Sequence, residues 1–207
     1  TRLLVVGASL WSSAFARALI DAGGEVLVVD NVWRRLRAPR LAGVPVYYGE
    51  ILSDRAEAAL ELTDVGSLLA AGANDAYNAL VCASFAADLG RENVFQLPLH
   101  GGEDGDPRGL TRPRRGRIAI AAQAHHEWLE ERLGEGWRFQ KTQFSETFTY
   151  QDFLAQASGE GVAVALRLAD GSLFLAASDE SRHPRAGDVL LSFAPPKPLA
   201  AGAEAQT

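Results

Sequence analysis

The chain has 207 residues, 47% hydrophobic and 22% charged, with a formal net charge of −6, which is globular composition sufficient for one large core or a core plus a smaller module. No apolar run approaches the roughly 18 residues of a membrane helix, no basic-then-apolar opening marks a secretory signal, and the lone Cys82 excludes a disulfide framework or a multi-cysteine metal site. A pI near 5.2 speaks against a nucleic-acid partner, because phosphate binding needs clustered positive charge.

From residue 1 to 99 two textures alternate. Leu3 to Val6 is a short branched run ending at Gly7, followed by a helical pattern in which Phe15, Ala18, Leu19 and Ala22 share a face before Gly23-Gly24. Val26 to Val29 ends at Asp30, and a further helix runs to about Ala42. Val44 to Tyr48 predicts a third strand, and Asp54 an N-cap for the helix after it. Ser67 to Ala71 predicts a fourth strand, Asn74-Asp75 the start of a helix ending at Gly90, and Val94 to Leu97 a fifth strand. Five apolar strands, each followed by a helix-length segment, are what a parallel sheet covered on both faces requires. The fold class is therefore α/β, a doubly wound Rossmann-like sheet whose ligands belong beyond the carboxyl ends of the strands.

Residues 100–117 interrupt this texture with five Gly, two Pro and five Arg, and read as a linker whose basic residues are solvated. From 118 to 194 the pattern predicts a small α+β module. Its parts are a strand at Ile118–Ala122, a helix at His125–Leu133, a long strand at Phe139–Phe148, a short helix at Tyr150–Ala157 and a last strand at Asp188–Phe193. Between the last two, strands at Gly161–Ala169 and Ser172–Ala177 form a hairpin around Asp170-Gly171. The tail 195–207 lacks periodicity and is expected to be disordered.

The chemical signal lies at the first strand–helix junction. Gly7, Ala8, Ser9, Leu10, Trp11 and Ser12 stand where a dinucleotide fold places G-x-G-x-x-G, and Asp30 follows 23 residues after Gly7, the separation of a carboxylate that binds ribose hydroxyls. Gly7 allows a tight turn, and the helix start offers N–H groups to a phosphate. Ser9 and Ser12 replace the second and third glycines: Ser12 is small enough to pack, and Ser9 adds a Cβ near the ligand but also a hydroxyl for phosphate. Trp11 either stacks on a base, covers an interface or anchors the core.

The strings VVGASLWSSAFARAL, EVLVVDNVWRRLRAPRLAGVPVYYGE and LLAAGANDAYNALVCASFAADLG resemble the RCK (regulator of potassium conductance, TrkA-N type) domains over about residues 2–99. Val29-Asp30-Asn31, Trp33, Arg40 to Gly43, Tyr47 to Gly49 and Ala73 to Asp75 give it the flavour of the form fused behind monovalent cation:proton antiporters, and 117–194 is similar to that group's C-terminal extension. The resemblance implies a nucleotide cradle at Gly7, Ser9 and Ser12, Asp30 on the ribose, and Glu50, Asn74, Asp75 and Asn78 at the loops around it. Asn31 and Arg34 line the adenosine side or form a solvated helix start, and Asn74 or Asp75 is alternatively a plain N-cap. The implied ligands are NAD(H), AMP, ADP or ATP, with NADP disfavoured by Asp30. The implied partners are a membrane-embedded cation transporter domain and a second copy of the chain, paired in part through Ala79 to Ala87, on the cytoplasmic face of the membrane. A chain without Met that opens one residue before a strand fits a domain separated from such a membrane half.

The catalytic signals are weak. No Tyr-x-x-x-Lys pair exists, and His100 has only Glu103 or Asp104 as nearby acidic partners in sequence. Cys82 reads as packed. His125 and His126, adjacent on a helix, point about 100° apart and cannot chelate together; His126 with Glu130 is the spacing that can, and an exposed helix face accounts for it, so no metal ligands are assigned. The chain therefore reads as a non-enzymatic ligand-sensing domain. The alternatives are a small NAD-dependent oxidoreductase, which would show nicotinamide-dependent turnover, and a structural dimerisation module with an empty pocket.

Overall fold

The computed structural model describes residues 1–60, 62–100, 115–157 and 159–197. Most of the expected linker (101–114) and the last ten residues of the expected tail (198–207) lie outside the described residues.

Strands β1 (Arg2–Val6), β2 (Glu25–Asp30), β3 (Val46–Tyr48), β4 (Val65–Ala70), β5 (Val94–Gln96) and β6 (Arg117–Ile118) form one sheet in the order β3-β2-β1-β4-β5-β6, with every pair parallel. Alternation along the strands feeds two cores. Leu3, Val5, Val26, Val28 and Leu69 face one side; Leu4, Val6, Leu27, Val29 and Leu68 face the other. Helix α1 (Leu10–Asp21) covers the first side with Trp11, Phe15, Ala16 and Leu19. Helices α3 (Asp54–Ala59) and α4 (Asp75–Leu89) cover the second with Ala56, Val81, Cys82 and Phe85. The helix expected after β2 is broken into a 3-10 turn, Trp33–Leu36, and a short α2 (Arg37–Leu41). Ser53, rather than Asp54, caps α3, its hydroxyl accepting the Ala56 N–H at 3.1 Å.

The second half contains α5 (His126–Gly134), α6 (Tyr150–Gln156) and the strands β7 (Arg138–Gln143), β8 (Val162–Arg167), β9 (Leu173–Leu175) and β10 (Val189–Ala194). The strands make an antiparallel sheet in the order β7-β10-β8-β9, and Gly171, at φ 89°, turns the expected hairpin between β8 and β9. The stretch Ile118–Ala122 was expected to start this half. Instead Arg117–Ile118 joins the parallel sheet as its sixth strand, beside β5. Ala119 then bridges to Ala177, and Ile120 turns the chain at φ 69° with its N–H on the Ala176 carbonyl. Both sheets share one core: Trp11 stacks on Phe15 at 5.3 Å and meets Phe139 of β7 at 5.7 Å and Phe193 of β10 at 6.3 Å.

Candidate functional site

The strand order reverses between β1 and β4, and there the carboxyl ends of the strands open a cleft of about 560 Å³ lined by Gly7, Asp30, Asn31, Gly72, Asn74 and Tyr77, among others. Gly7 adopts φ 109°, and a Cβ there would lie 2.6 Å from the Gly72 nitrogen, so the first turn and the loop after β4 touch backbone to backbone. Asn78 locks that loop from the first turns of α4: its Oδ1 accepts the Gly72 N–H at 3.1 Å and its Nδ2 donates to the Gly72 carbonyl at 2.9 Å.

The N–H groups of Gly7, Ala8, Ser9, Trp11 and Ser12 have protein acceptors. The Ala8 N–H donates to Asp30 Oδ2 at 2.8 Å, while Oδ1 accepts the Val32 N–H at 2.8 Å. Asp30 is only 5% exposed and braces two loops from within. Ser9 and Ser12 form a reciprocal cap: the Ser12 N–H donates to Ser9 Oγ at 3.0 Å, and the Ser9 N–H to Ser12 Oγ at 2.8 Å. The Ser12 hydroxyl donates to the Gly7 carbonyl at 2.9 Å. Neither hydroxyl is left pointing at a phosphate, which departs from the expectation for Ser9. The Trp11 N–H donates to Oε1 of Glu130, from α5, at 2.9 Å. A helix N-terminus favours negative charge, and Glu130 supplies it where a phosphate would. The Trp11 ring, 1% exposed, is a core anchor and does not reach the cleft, whereas Leu10 is exposed.

Behind Asn31 and Tyr77, which line the cleft, a network centres on Glu50, which does not line it. Its Oε1 accepts the Tyr77 hydroxyl and the Leu52 N–H, the latter at 3.1 Å, and its Oε2 accepts the Asn31 amide at 2.9 Å. Burial pushes the Glu50 carboxyl up, but the hydrogen bonds from Tyr77, Leu52 and Asn31 outweigh it and hold the carboxyl below its ordinary range. Tyr77 is pushed up, by burial first and then by Glu50, so its phenol stays protonated. Arg34 does not line the cleft. Arg35 does, 3.9 Å from Asp30, because the chain there winds as a 3-10 turn instead of the expected helix. Asn74 is the N-cap of α4, with its Oδ1 on the Tyr77 N–H at 2.9 Å, and Asp75 Oδ2 accepts the His100 N–H at 2.8 Å.

Sequence reasoning missed the first turn of α5, which sits across this edge of the sheet. His126 Nδ1 lies 3.3 Å from the Ala71 carbonyl and Glu130 reaches Trp11, so the two do not meet as a ligand pair. His125 precedes the helix as its N-cap. Burial pushes Glu127 up, but its own backbone N–H and His100 together hold it below the usual carboxylate range. Cys82 is packed as expected: it is buried, its Sγ donates to the Phe95 carbonyl at 3.2 Å, and burial pushes the thiol up to about 12. The expected partners of His100, Glu103 and Asp104, lie outside the described residues.

The fold and cleft define a doubly wound α/β domain of nucleotide-binding architecture. Residues 3–95 match the family model of the TrkA-N domain, and the resemblance read from the glycine-rich turn and the strands after it stands over that stretch. Among solved structures, the GsuK channel is 13% identical with a TM-score of 0.41, covering 94% of this chain and 36% of that one. The human SLO3 gating ring is 10% identical with a TM-score of 0.31, covering 94% and 44%. The chain thus spans less than half the length of either. No curated protein matches it. Among the described residues no helix is long and apolar enough to cross a membrane.

Proposed function

We propose that this chain is a regulatory, non-catalytic domain on the cytoplasmic face of a monovalent cation (K+ or Na+) transporter or antiporter, sensing an adenine nucleotide (NAD(H), AMP, ADP or ATP). The observation that carries the reading is the cleft at the strand-order reversal, floored by the Gly7–Gly72 contact and edged by Asp30, Asn31 and Asn74. The TrkA-N match over residues 3–95 supports it. Tyr77, whose proton burial and Glu50 hold more tightly than usual, is a poor general acid or base. Residues 1–99 hold the ligand, and β6 closes their sheet from the segment beyond the linker. A second copy pairs through the outer face of α4, where Leu80, Ala83 and Ala87 are exposed while Val81, Cys82 and Phe85 are buried.

The residues fit a nucleoside better than its phosphates. The glycine floor and the amides of Asn31 and Asn74 suit an adenosine, whereas a phosphate meets Glu130 already on the Trp11 N–H. A phosphate-bearing ligand therefore has to move the Glu130 side chain off the Trp11 N–H, and a ligand biases a partner only through such a difference between two states. The same contact favours a second reading, a structural dimerisation module whose pocket stays empty. Calorimetric titration of the chain with adenosine, AMP, ADP, ATP, NAD and NADH separates the two. One-site binding weakened at least tenfold by Asn31→Ala supports sensing; no heat with any of the six leaves the structural module. Affinity is the quantity to read, because Asp30 braces two loops and its substitution lowers stability with or without a ligand.

A further inference from the structure

Beyond β5 and the start of α4 stands a cluster that nucleotide sensing does not use. His100 follows β5, His125 caps α5, and Glu127 lies in the first turn of that helix. One carboxylate oxygen, Glu127 Oε2, is 3.1 Å from His100 Nδ1 and 3.3 Å from His125 Nδ1. The two rings meet edge to face, centroids 5.4 Å apart. One donor atom from each of the three residues lies within 4.8 Å of the others. A tetrahedral ion with bonds of about 2.0–2.1 Å sets its ligand atoms roughly 3.4 Å apart. The three side chains already stand near the spacing of a coordination shell.

The ligands are also held in place by their surroundings. The backbone N–H of His100 is fixed on Asp75 Oδ2 at 2.8 Å, and the first turn of α5 is seated on the sheet through His126 and the Ala71 carbonyl. The Trp128 N–H donates to His125 Nδ1 at 3.2 Å, so that nitrogen is the unprotonated one, and an ion bound there takes over the lone pair now spent on the Trp128 N–H. Glu127 Oε2 stands 3.3 Å from the same nitrogen, and a shared cation draws the two together. Each member thus has its own tether, and together they offer two imidazole nitrogens and one anionic oxygen toward a common point.

We propose that His100, His125 and Glu127 bind a divalent transition-metal ion of the zinc type, the class that two imidazoles and one carboxylate select. Three protein ligands leave a fourth position for water or for a side chain of a partner. The ion clamps the chain after β5 to the start of α5, three residues from Glu130, and so stiffens the turn that a nucleotide phosphate would have to move.

The test is titration of the tag-free full chain with Co2+, whose visible absorption reports tetrahedral ligation, followed by displacement with Zn2+. The expected result is one Co2+ per chain, with an intense visible band that one equivalent of Zn2+ removes. His100→Ala, His125→Asn and Glu127→Gln each weaken binding at least tenfold and abolish the band. Asn is itself a favourable N-cap, so loss in His125→Asn reports the lost imidazole and not a lost helix start. His183→Ala, whose ring stacks on Tyr150, leaves binding unchanged. Failure of the wild-type chain to take up either ion at micromolar concentration overturns the assignment. So does binding that survives all three ligand substitutions. Both outcomes are read without nucleotide, so failure here and failure of the nucleotide titration are distinguishable.

Discussion

Replacing Glu130 by Gln tests whether the helix N-terminus at the glycine-rich turn is already occupied by the protein's own charge. The wild-type contact is a carboxylate accepting the Trp11 N–H at 2.9 Å in a part-buried setting. Hydrogen bonds to charged groups contribute about 1.5–3 kcal/mol, and neutral ones about 0.5–1.5. Gln keeps the shape and an acceptor oxygen but removes the charge, so the contact weakens by about 1–1.5 kcal/mol. A phosphate that must displace this side chain then gains roughly five- to tenfold in affinity. Adenosine carries no phosphate and gains nothing. Calorimetry with ADP and adenosine on both proteins reads the difference directly. The unliganded variant also loses about 1 kcal/mol of stability, a fall of roughly 2–4 °C in Tm for a chain of this size. ADP affinity unchanged within twofold, or an equal gain for adenosine, refutes the reasoning.

Four further outcomes are expected. Trp11→Ala empties the aromatic contact between α1 and the second sheet and costs about 3–5 kcal/mol, or roughly 6–20 °C in Tm; a loss of a few tenths by calorimetry would mean that the sheets do not share a core. Asp30→Asn leaves one of two N–H groups, the buried one of Ala8 or the part-buried one of Val32, without its acceptor and lowers stability by about 1–3 kcal/mol in urea unfolding, ligand or none. Because the folded state holds the Glu50 carboxyl below its ordinary value of 4.5, its contribution is present above that value and lost as pH falls through the lowered one. Glu50→Gln therefore flattens the acid limb of a stability–pH curve and makes little difference to its slope near neutrality. Cys82, with its thiol pushed up to about 12 and buried, reacts with iodoacetamide at pH 8 only as the chain unfolds, so alkylation and unfolding rates coincide in denaturant.

The parallel sheet was legible because its strands are short apolar runs without polar alternation, the first three closed by Gly7, Asp30 and Gly49, and burial on both faces suits such runs. The start of α4 was legible for a local reason as well: Asn74 caps it through an N–H three residues on. Legibility failed where partners are distant. Glu130 meets Trp11 across 119 positions and Glu127 meets His100 across 27, and no periodicity carries such information. Trp11 was ambiguous because its spacing to Phe15 fits a core face and a ligand face equally; the rings of Phe139 and Phe193 decide it. That Arg35 and not Arg34 lines the cleft depends on the chain tightening into a 3-10 turn where the pattern predicts an α-helix. The two residues of β6 follow a stretch rich in Gly and Arg, and composition alone does not say which sheet so short a strand joins.

The turn at Ile120 has a mechanical consequence. A left-handed backbone at a β-branched residue costs on the order of 1–3 kcal/mol, and it persists here at the seam where the chain leaves one sheet for the other. A hinge is made of residues that rotate freely; this one is a residue that tolerates a single angle, held by its N–H on Ala176 and by the bridge beside it. The seam therefore works as a fixed bracket. Motion passed toward a partner would travel as rotation of both sheets in one body, and relative displacement would be confined to elements pinned by side chains alone, foremost the opening turn of α5.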